Sequence, residues 1–262
     1  MNRRGTTAVA AGGLLALAGG LAHALPAATV LPTVRLRWFP RLSGRGAPDH
    51  VALTFDDGPD PASTPAFLEV LAAHRVRATF FLLGRMVARS PALAGELVAA
   101  GHEVAVHGWS HRNLLLRDPG TTYRDLARAR DVIAAASGRP PVRYRPPYGV
   151  LTGSGWTAAR RLGLRPVLWT CWGRDWTATA TAGSVLATVR AGLAGGGTVL
   201  LHDSDCTAAP GAWRSALGAL PDLLAGCAAR GWRVGPLAEH FGTGQGPKTQ
   251  CQADITQSVW RR

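Results

Sequence analysis

The chain has 262 residues, 47% of them apolar, enough for one α/β domain with a sizeable core and too few for two barrels. Its formal charge is +13, carried almost wholly by arginine, since Lys248 is the sole lysine. No basic run is interleaved with aromatic residues, which argues against a nucleic-acid partner. The charge reads either as an unspecialised basic surface or as attraction to an anionic one, such as cell wall or membrane.

At the N-terminus, Arg3 and Arg4 make a positive start and no charge follows until Arg35. Leu14, Leu15, Leu17 and Leu21 form an apolar stretch, ended by Ala22-His23-Ala24 in the pattern of a cleavage site. Residues 1–24 are expected to be a signal peptide or an uncleaved signal anchor, because the uncharged stretch is long enough to cross a bilayer. Export suits the cysteines Cys171, Cys206, Cys227 and Cys251, since disulfides persist outside the cytosol. None has zinc-finger spacing, and Cys171 and Cys206, each shortly past an expected strand, are candidates to meet. Residues 25–48, with Pro26, Pro32, Pro40 and Pro48, read as a linker, with Trp38 and Phe39 available to pack on the domain.

The globular domain is placed at 49–241 and a polar, Gly/Gln-rich tail at 242–262. Short apolar runs predict strands at Val51–Phe55, Ala78–Leu82, Val104–Val106, near Val142, and at Val167–Trp169, Thr198–Leu201 and Trp232–Val234. Helices fall between them. One is capped by Ser63 or Thr64 and runs through His74; another opens at Pro91 and ends at Gly101. A longer one starts at Thr121 or Thr122 and is stopped by Gly138 and Pro140. Ser154–Leu162, Ser184–Leu193 and Trp213–Arg230 supply the rest. The alternation predicts a barrel-like α/β domain with its site where the strands finish.

The polar residues gather at those strand ends. Asp56 and Asp57 close the first strand and precede Gly58-Pro59, a bend that would let both carboxylates approach one centre although neighbours on a regular strand diverge. His107 and His111 follow the third strand at a spacing that brings two imidazoles together on one turn, though Gly108 favours a loop over a helix interior. Two histidines and one carboxylate leave positions open on a metal, which serves hydrolytic zinc and also non-haem iron oxygenases. The second carboxylate, Arg145 and His202 favour hydrolysis, where attacking water needs a base and the departing group an acid. His50, His74, His102 and His240 read as structural or surface histidines.

Taken together, these residues resemble the polysaccharide deacetylases, the NodB-like domain of the fourth carbohydrate esterase family. The resemblance rests on Thr54-Phe55-Asp56-Asp57-Gly58-Pro59, His107-Gly108-Trp109-Ser110-His111, Arg145-Pro146-Pro147-Tyr148-Gly149, Asp175-Trp176 and Leu200-Leu201-His202-Asp203, in the family's order. It implies a metal, Zn²⁺ by default, on Asp57, His107 and His111. It makes Asp56 the general base oriented by Arg145, and His202 the general acid held by Asp175. The backbone N–H of Tyr148 would help stabilise the oxyanion. Trp176 and Leu200 would line the acetyl pocket, and Pro147 joins the substrate-contacting set. A carboxylate beside Arg⁺ stays ionised, and an imidazole beside a carboxylate keeps the proton it must donate.

The resemblance further implies a distorted (β/α) barrel of about seven strands that removes N-acetyl groups from an N-acetylglucosamine polysaccharide, peptidoglycan or chitin-like. A monomer is expected, and the N-terminal segment places it outside the cytoplasm, secreted or anchored to the outer face of the membrane. An acetyl esterase acting on a glycan such as xylan, and a non-catalytic glycan-binding relative, are the alternatives. Two positions depart from the family's habit. Gly108 stands where a Ser or Thr hydroxyl usually steadies the loop. Trp172 stands where an Asp usually precedes Asp-Trp by three residues. Trp109 and Trp172 are candidates either to stack on sugar rings or simply to fill the barrel and its loops.

Overall fold

The computed structural model describes residues 17–241. Its central strand, β1 (His50–Asp56), is buried along its whole length, as a parallel strand covered on both faces must be. Val51, Leu53 and Phe55 point out into the core beneath the helices, while Ala52 points into the barrel with Phe81, Ala105 and Val167. By the two-residue period of a strand, Thr54 and Asp56 share the inward face with Ala52. Strand alternation therefore carries Asp56 to the barrel mouth.

The remaining strands are β2 (Thr79–Leu82), β3 (Glu103–Val106), β4 (Arg143–Tyr144), β5 (Arg165–Pro166), β6 (Cys171–Trp172), β7 (Thr198–His202) and β8 (Arg233–Gly235). Their order is β5-β4-β3-β2-β1-β7-β6, with every pairing parallel. β8 pairs with the lower end of β1, on the edge that β2 takes higher up. β5 and β6 end the path without pairing to each other, so the barrel is open between them. This is the distorted barrel expected.

From Pro32 onward, the helices among the described residues are α1 (Pro32–Trp38), α2 (Thr64–Ala73), α3 (Gly84–Arg89), α4 (Pro91–Ala99), α5 (Pro119–Ser137), α6 (Gly153–Arg161), α7 (Ala182–Gly192), α8 (Trp213–Ala228) and α9 (Leu237–His240). α5 starts earlier than Thr121 because Asp118 caps it, its Oδ1 accepting the Thr121 N–H at 2.8 Å. Gly138, at φ +69°, ends it. Ser63 does not cap α2; its hydroxyl donates to the Asp203 carbonyl instead. α3 is an element the sequence reading passed over.

Two expectations are overturned near the opening. Val167–Trp169 is not a strand. Its carbonyls face two buried guanidinium groups: Arg145 donates to Val167 O and Leu168 O, and Arg35 to Trp169 O. Nor do residues 25–48 form a linker. Leu25–Val30 is a 3₁₀ helix, α1 follows, and Arg35 is buried. Leu42 packs on Leu168, Trp169 and Leu200, and its carbonyl accepts the Leu168 N–H at 2.7 Å. Gly44, at φ +78°, lets Thr198 approach so closely that a Cβ there would lie 2.5 Å from Thr198 Oγ1. The segment covers the connection between β5 and β6, where Leu42 and Arg35 pair backbone groups of Leu168 and Trp169 that no strand partner satisfies. Trp38 and Phe39 do not pack on the domain; both are exposed.

No single helix among the described residues is long and apolar enough to cross a membrane, although Leu17–Val30 with Pro32–Trp38, bent by 92°, passes by length and composition as a pair. Cys171 and Cys206 are not joined. Alternation along β6 turns Cys171 into the helix-side core, whereas Cys206 lies at the mouth with its thiol toward the Asp57 carbonyl. The tail at 242–262, with Cys251, and residues 1–16 lie outside the described residues.

Candidate active site

β1 ends at Asp56, and the chain turns at once: Asp57 adopts φ +79°, a left-handed backbone that an L-residue tolerates only when its surroundings enforce it. That turn, together with the bend expected at Gly58-Pro59, brings both carboxylates to the same mouth. Asp56 Oδ1 accepts from Arg145 Nη1 at 2.7 Å, and the same nitrogen donates to Thr54 Oγ1. Arg145 is wholly buried and spans the barrel from β4 to β1, so its guanidinium fixes the direction of the Asp56 side chain.

His107 follows β3, and its Nδ1 donates to the Arg145 carbonyl at 2.8 Å. That bond leaves Nε2 with its lone pair, 3.5 Å from Asp57 Oδ1 and 3.6 Å from Asp56 Oδ2. His111 sits in a loop at φ +56°, its Nε2 3.7 Å from the same Asp57 Oδ1. Burial lowers the His107 pKa against the pull of Asp56 and Asp57, and burial takes His111 down to about 4. Both rings are therefore neutral near pH 7, the state a metal ligand needs.

The fit to a metal can be judged from the donors. One ligand atom from each of Asp57, His107 and His111 lies within 4.8 Å of the others. Asp57 Oδ1 is buried without a hydrogen-bond partner, an orphan that a cation would satisfy. A histidine whose other nitrogen donates to a carbonyl is the usual preparation of a ligand. The residues fit a divalent ion.

On the strand next to β1, in register with Asp56, His202 ends β7. Asp175 grips it twice, accepting the His202 N–H at 2.7 Å and Nδ1 at 3.0 Å. Burial alone would lower the His202 pKa. The Asp175 carboxylate, with Asp57 and Asp56 beyond it, outweighs burial and raises it to about 10. The imidazolium is thus held charged, with Nε2 as the nitrogen free toward the cavity.

Asp56, Asp57, His107, His111, Tyr148, Trp176, Leu200 and His202 all line one cavity of about 250 Å³. Arg145 and Asp175 stand behind it as partners of Asp56 and His202. Pro147 does not line it; that residue is buried and packs toward Gly108. Tyr148 takes φ +59° and packs its ring against His111, with centroids 4.5 Å apart and the planes inclined by 58°. Trp109 is not at the cavity, being packed on the core with Arg128 over its ring. Trp172, which the strand period points inward, lines the cavity beside Trp169 and Trp176.

Gly149, Trp169 and Thr207 also line the cavity and were missed. Gly149 was visible in its motif. Trp169 was hidden by its apolar neighbours, and Thr207 by an irregular loop without periodicity. The missing hydroxyl at position 108 has a physical account: Gly108 sits at φ +89°, and Asp125 steadies the loop instead, accepting the Trp109 N–H at 2.8 Å.

Comparison with known proteins follows the same lines. A polysaccharide deacetylase family model matches residues 43–167. A chitooligosaccharide deacetylase of Sinorhizobium fredii is 42% identical over 172 residues, 64% of this chain and 77% of that protein. The peptidoglycan-N-acetylglucosamine deacetylase PgdA of Listeria monocytogenes is 36% identical over 160 residues, 61% of this chain but 34% of its own length. The crystal structure of the Bc1960 peptidoglycan N-acetylglucosamine deacetylase superposes with a TM-score of 0.71 at 27% identity, covering 79% of this chain and 97% of that one.

Proposed function

The chain belongs to the polysaccharide deacetylase family, and from that premise we propose that it removes N-acetyl groups from an N-acetylglucosamine polysaccharide by metal-dependent hydrolysis, releasing acetate. The observation that carries the reading is the convergence on one cavity of a carboxylate aimed by Arg145, an imidazolium held by Asp175 and three candidate metal donors. An oxygenase would have no use for either pair.

The acetamide enters with its methyl against Trp176 and Leu200. Asp57, His107 and His111 would hold a divalent ion, Zn²⁺ by default, whose Lewis acidity would ease deprotonation of water and polarise the carbonyl. Asp56 takes the proton of the attacking water, and Arg145 keeps the receiving oxygen in line. The Tyr148 N–H, turned by its left-handed backbone, meets charge that develops on the carbonyl oxygen; one such donor is typically worth about 3–4 kcal/mol. His202 Nε2 protonates the departing amine, and acetate remains. Trp172 offers an apolar ring to the sugar face.

The substrate is placed outside the cytoplasm, in keeping with the apolar, basic-headed N-terminal sequence and the charge of +13. Acetate release by zinc-loaded protein from N-acetylglucosamine oligomers and from acetylated xylan tests the reading. Faster turnover of the oligomers is expected. Turnover confined to xylan would make the enzyme an ester hydrolase.

A further inference from the structure

Asp57 has two carboxylate oxygens with different fates. Oδ1 is buried, unpartnered and turned toward His107 and His111. Oδ2 accepts a hydrogen bond from the hydroxyl of Thr207, a residue in the loop between β7 and α8. The neighbour of Thr207 reaches the same residue from its backbone side: the Cys206 thiol lies 3.4 Å from the Asp57 carbonyl oxygen. Cys206 is itself tethered. Its N–H donates to Ser204 Oγ at 3.1 Å, and Arg85 Nη2 reaches its carbonyl at 3.4 Å.

The same loop also presses on the next residue. A Cβ on Gly58 would fall 2.2 Å from Asp203 Oδ2, so Asp203 lies directly on the turn after the ligand. Asp203 is held there by Thr64, whose hydroxyl donates to Oδ2 at 2.6 Å. Three residues of one loop thus bear on two residues of another, and the residue they enclose has the strained backbone. A left-handed Asp persists where its surroundings over-determine it.

We infer that Thr207 is a positioning residue for the metal ligand Asp57: its hydroxyl occupies Oδ2 and leaves Oδ1 as the single oxygen presented to a divalent cation beside His107 and His111. With Thr207 in place the carboxylate offers one donor, which keeps positions open for water and substrate in a three-residue site. Without it, the carboxylate is free to rotate about its last bond and loses the preorganised donor. The inference rests on the ligand set and is independent of which glycan is cleaved.

The test uses Zn²⁺ ions and the full chain. Zinc affinity is measured by competition with a chromophoric chelator for the wild type, Thr207→Val and Thr207→Ser, alongside the thermal melting of each metal-free protein. Valine keeps the shape and removes the hydroxyl; serine keeps the hydroxyl. Partners of metal ligands typically contribute about 10–100-fold in affinity, so Thr207→Val should bind zinc about that much more weakly, with metal-free melting unchanged. Thr207→Ser should stay within about threefold of wild type if the hydroxyl is the operative group. Wild-type affinity in Thr207→Val, or equal losses in both variants, would overturn the inference. A wild type that binds no zinc would overturn the ligand set and the clamp with it, a result distinct from either.

Discussion

The two sides of the catalytic cavity are built in different ways. The ligand side is made of tight local turns: Asp57, Gly108, His111 and Tyr148 all have positive φ, and each lies within a few residues of the strand that delivers it. The other side is made of the ends of β6 and β7 and of aromatic rings, with a single left-handed residue, Arg174 at φ +54°, just before Asp175. Trp172 stacks on Trp169 at 5.8 Å, Trp176 meets Trp172 edge-on, and Trp176 meets His202 in the same way. What holds that wall comes from far away in the chain. Arg35, 134 residues from Trp169, donates to its carbonyl and lies 5.2 Å from its ring centroid. Left-handed turns place the proposed ligands, with Asp57 braced from 150 residues away by Thr207, and the contact of Arg35 with Trp169 backs the aromatic wall beside the proposed acid.

Removing a ligand should have the largest effect. His107→Ala should lose both zinc and turnover, read by elemental analysis and acetate release. Retained zinc at one per chain would mean that His107 is not a ligand.

Next comes the acid. General acids typically contribute about 10²–10⁴-fold, so His202→Ala should cost that much on an N-acetyl substrate and far less on an activated acetyl ester, whose leaving group departs unaided. The sign of the pH effect follows from Asp175. It raises the His202 pKa, and the acid works only while protonated. Asp175→Asn should therefore move the alkaline limb of the rate profile to lower pH. An unmoved limb, or equal losses on amide and ester, would place the acid elsewhere.

A smaller effect is expected from the brace. Arg35→Met removes hydrogen bonds of a buried charged group to the Trp169 and Val30 carbonyls and should lower stability by about 1.5–3 kcal/mol. Trp38→Ala, at an exposed ring on the same helix, should change it by less than about 0.5 kcal/mol. Denaturant melts of the two proteins decide. Equal effects would mean that the segment contributes bulk rather than a specific contact.

The smallest effect belongs to Trp172. Aromatic contacts are worth about 0.5–1.5 kcal/mol, so Trp172→Ala should raise KM for N-acetylglucosamine oligomers by roughly 2- to 12-fold with kcat little changed. An unchanged KM would leave the ring as a wall without substrate contact.

The same contrast explains what could be read from the sequence. Asp56, Asp57, His107, His111 and His202 stand at strand ends within short motifs, so strand alternation and residue chemistry placed them before any coordinates. The order of helices and strands was legible for the same reason. Arg35 and Leu42 were not, because a proline-punctuated stretch without periodicity carries no sign that it will close a barrel. Val167–Trp169 reads as a strand by residue type, yet its carbonyls are claimed by Arg145 and Arg35. Asp118 was overlooked as a cap because two threonines follow it. Thr207 lies in an irregular loop, and only the folded chain brings its hydroxyl to Asp57.

The central claim is that Asp56 serves chemistry while Asp57 serves the metal, although the two are adjacent. The most direct measurement is zinc content and acetate release on one preparation of Asp56→Asn. Zinc retained at about one per chain, with turnover reduced by roughly 10²–10⁴-fold, is the expected result, because an amide cannot take the water's proton. Near wild-type turnover with zinc bound would contradict the claim, as would loss of the zinc itself.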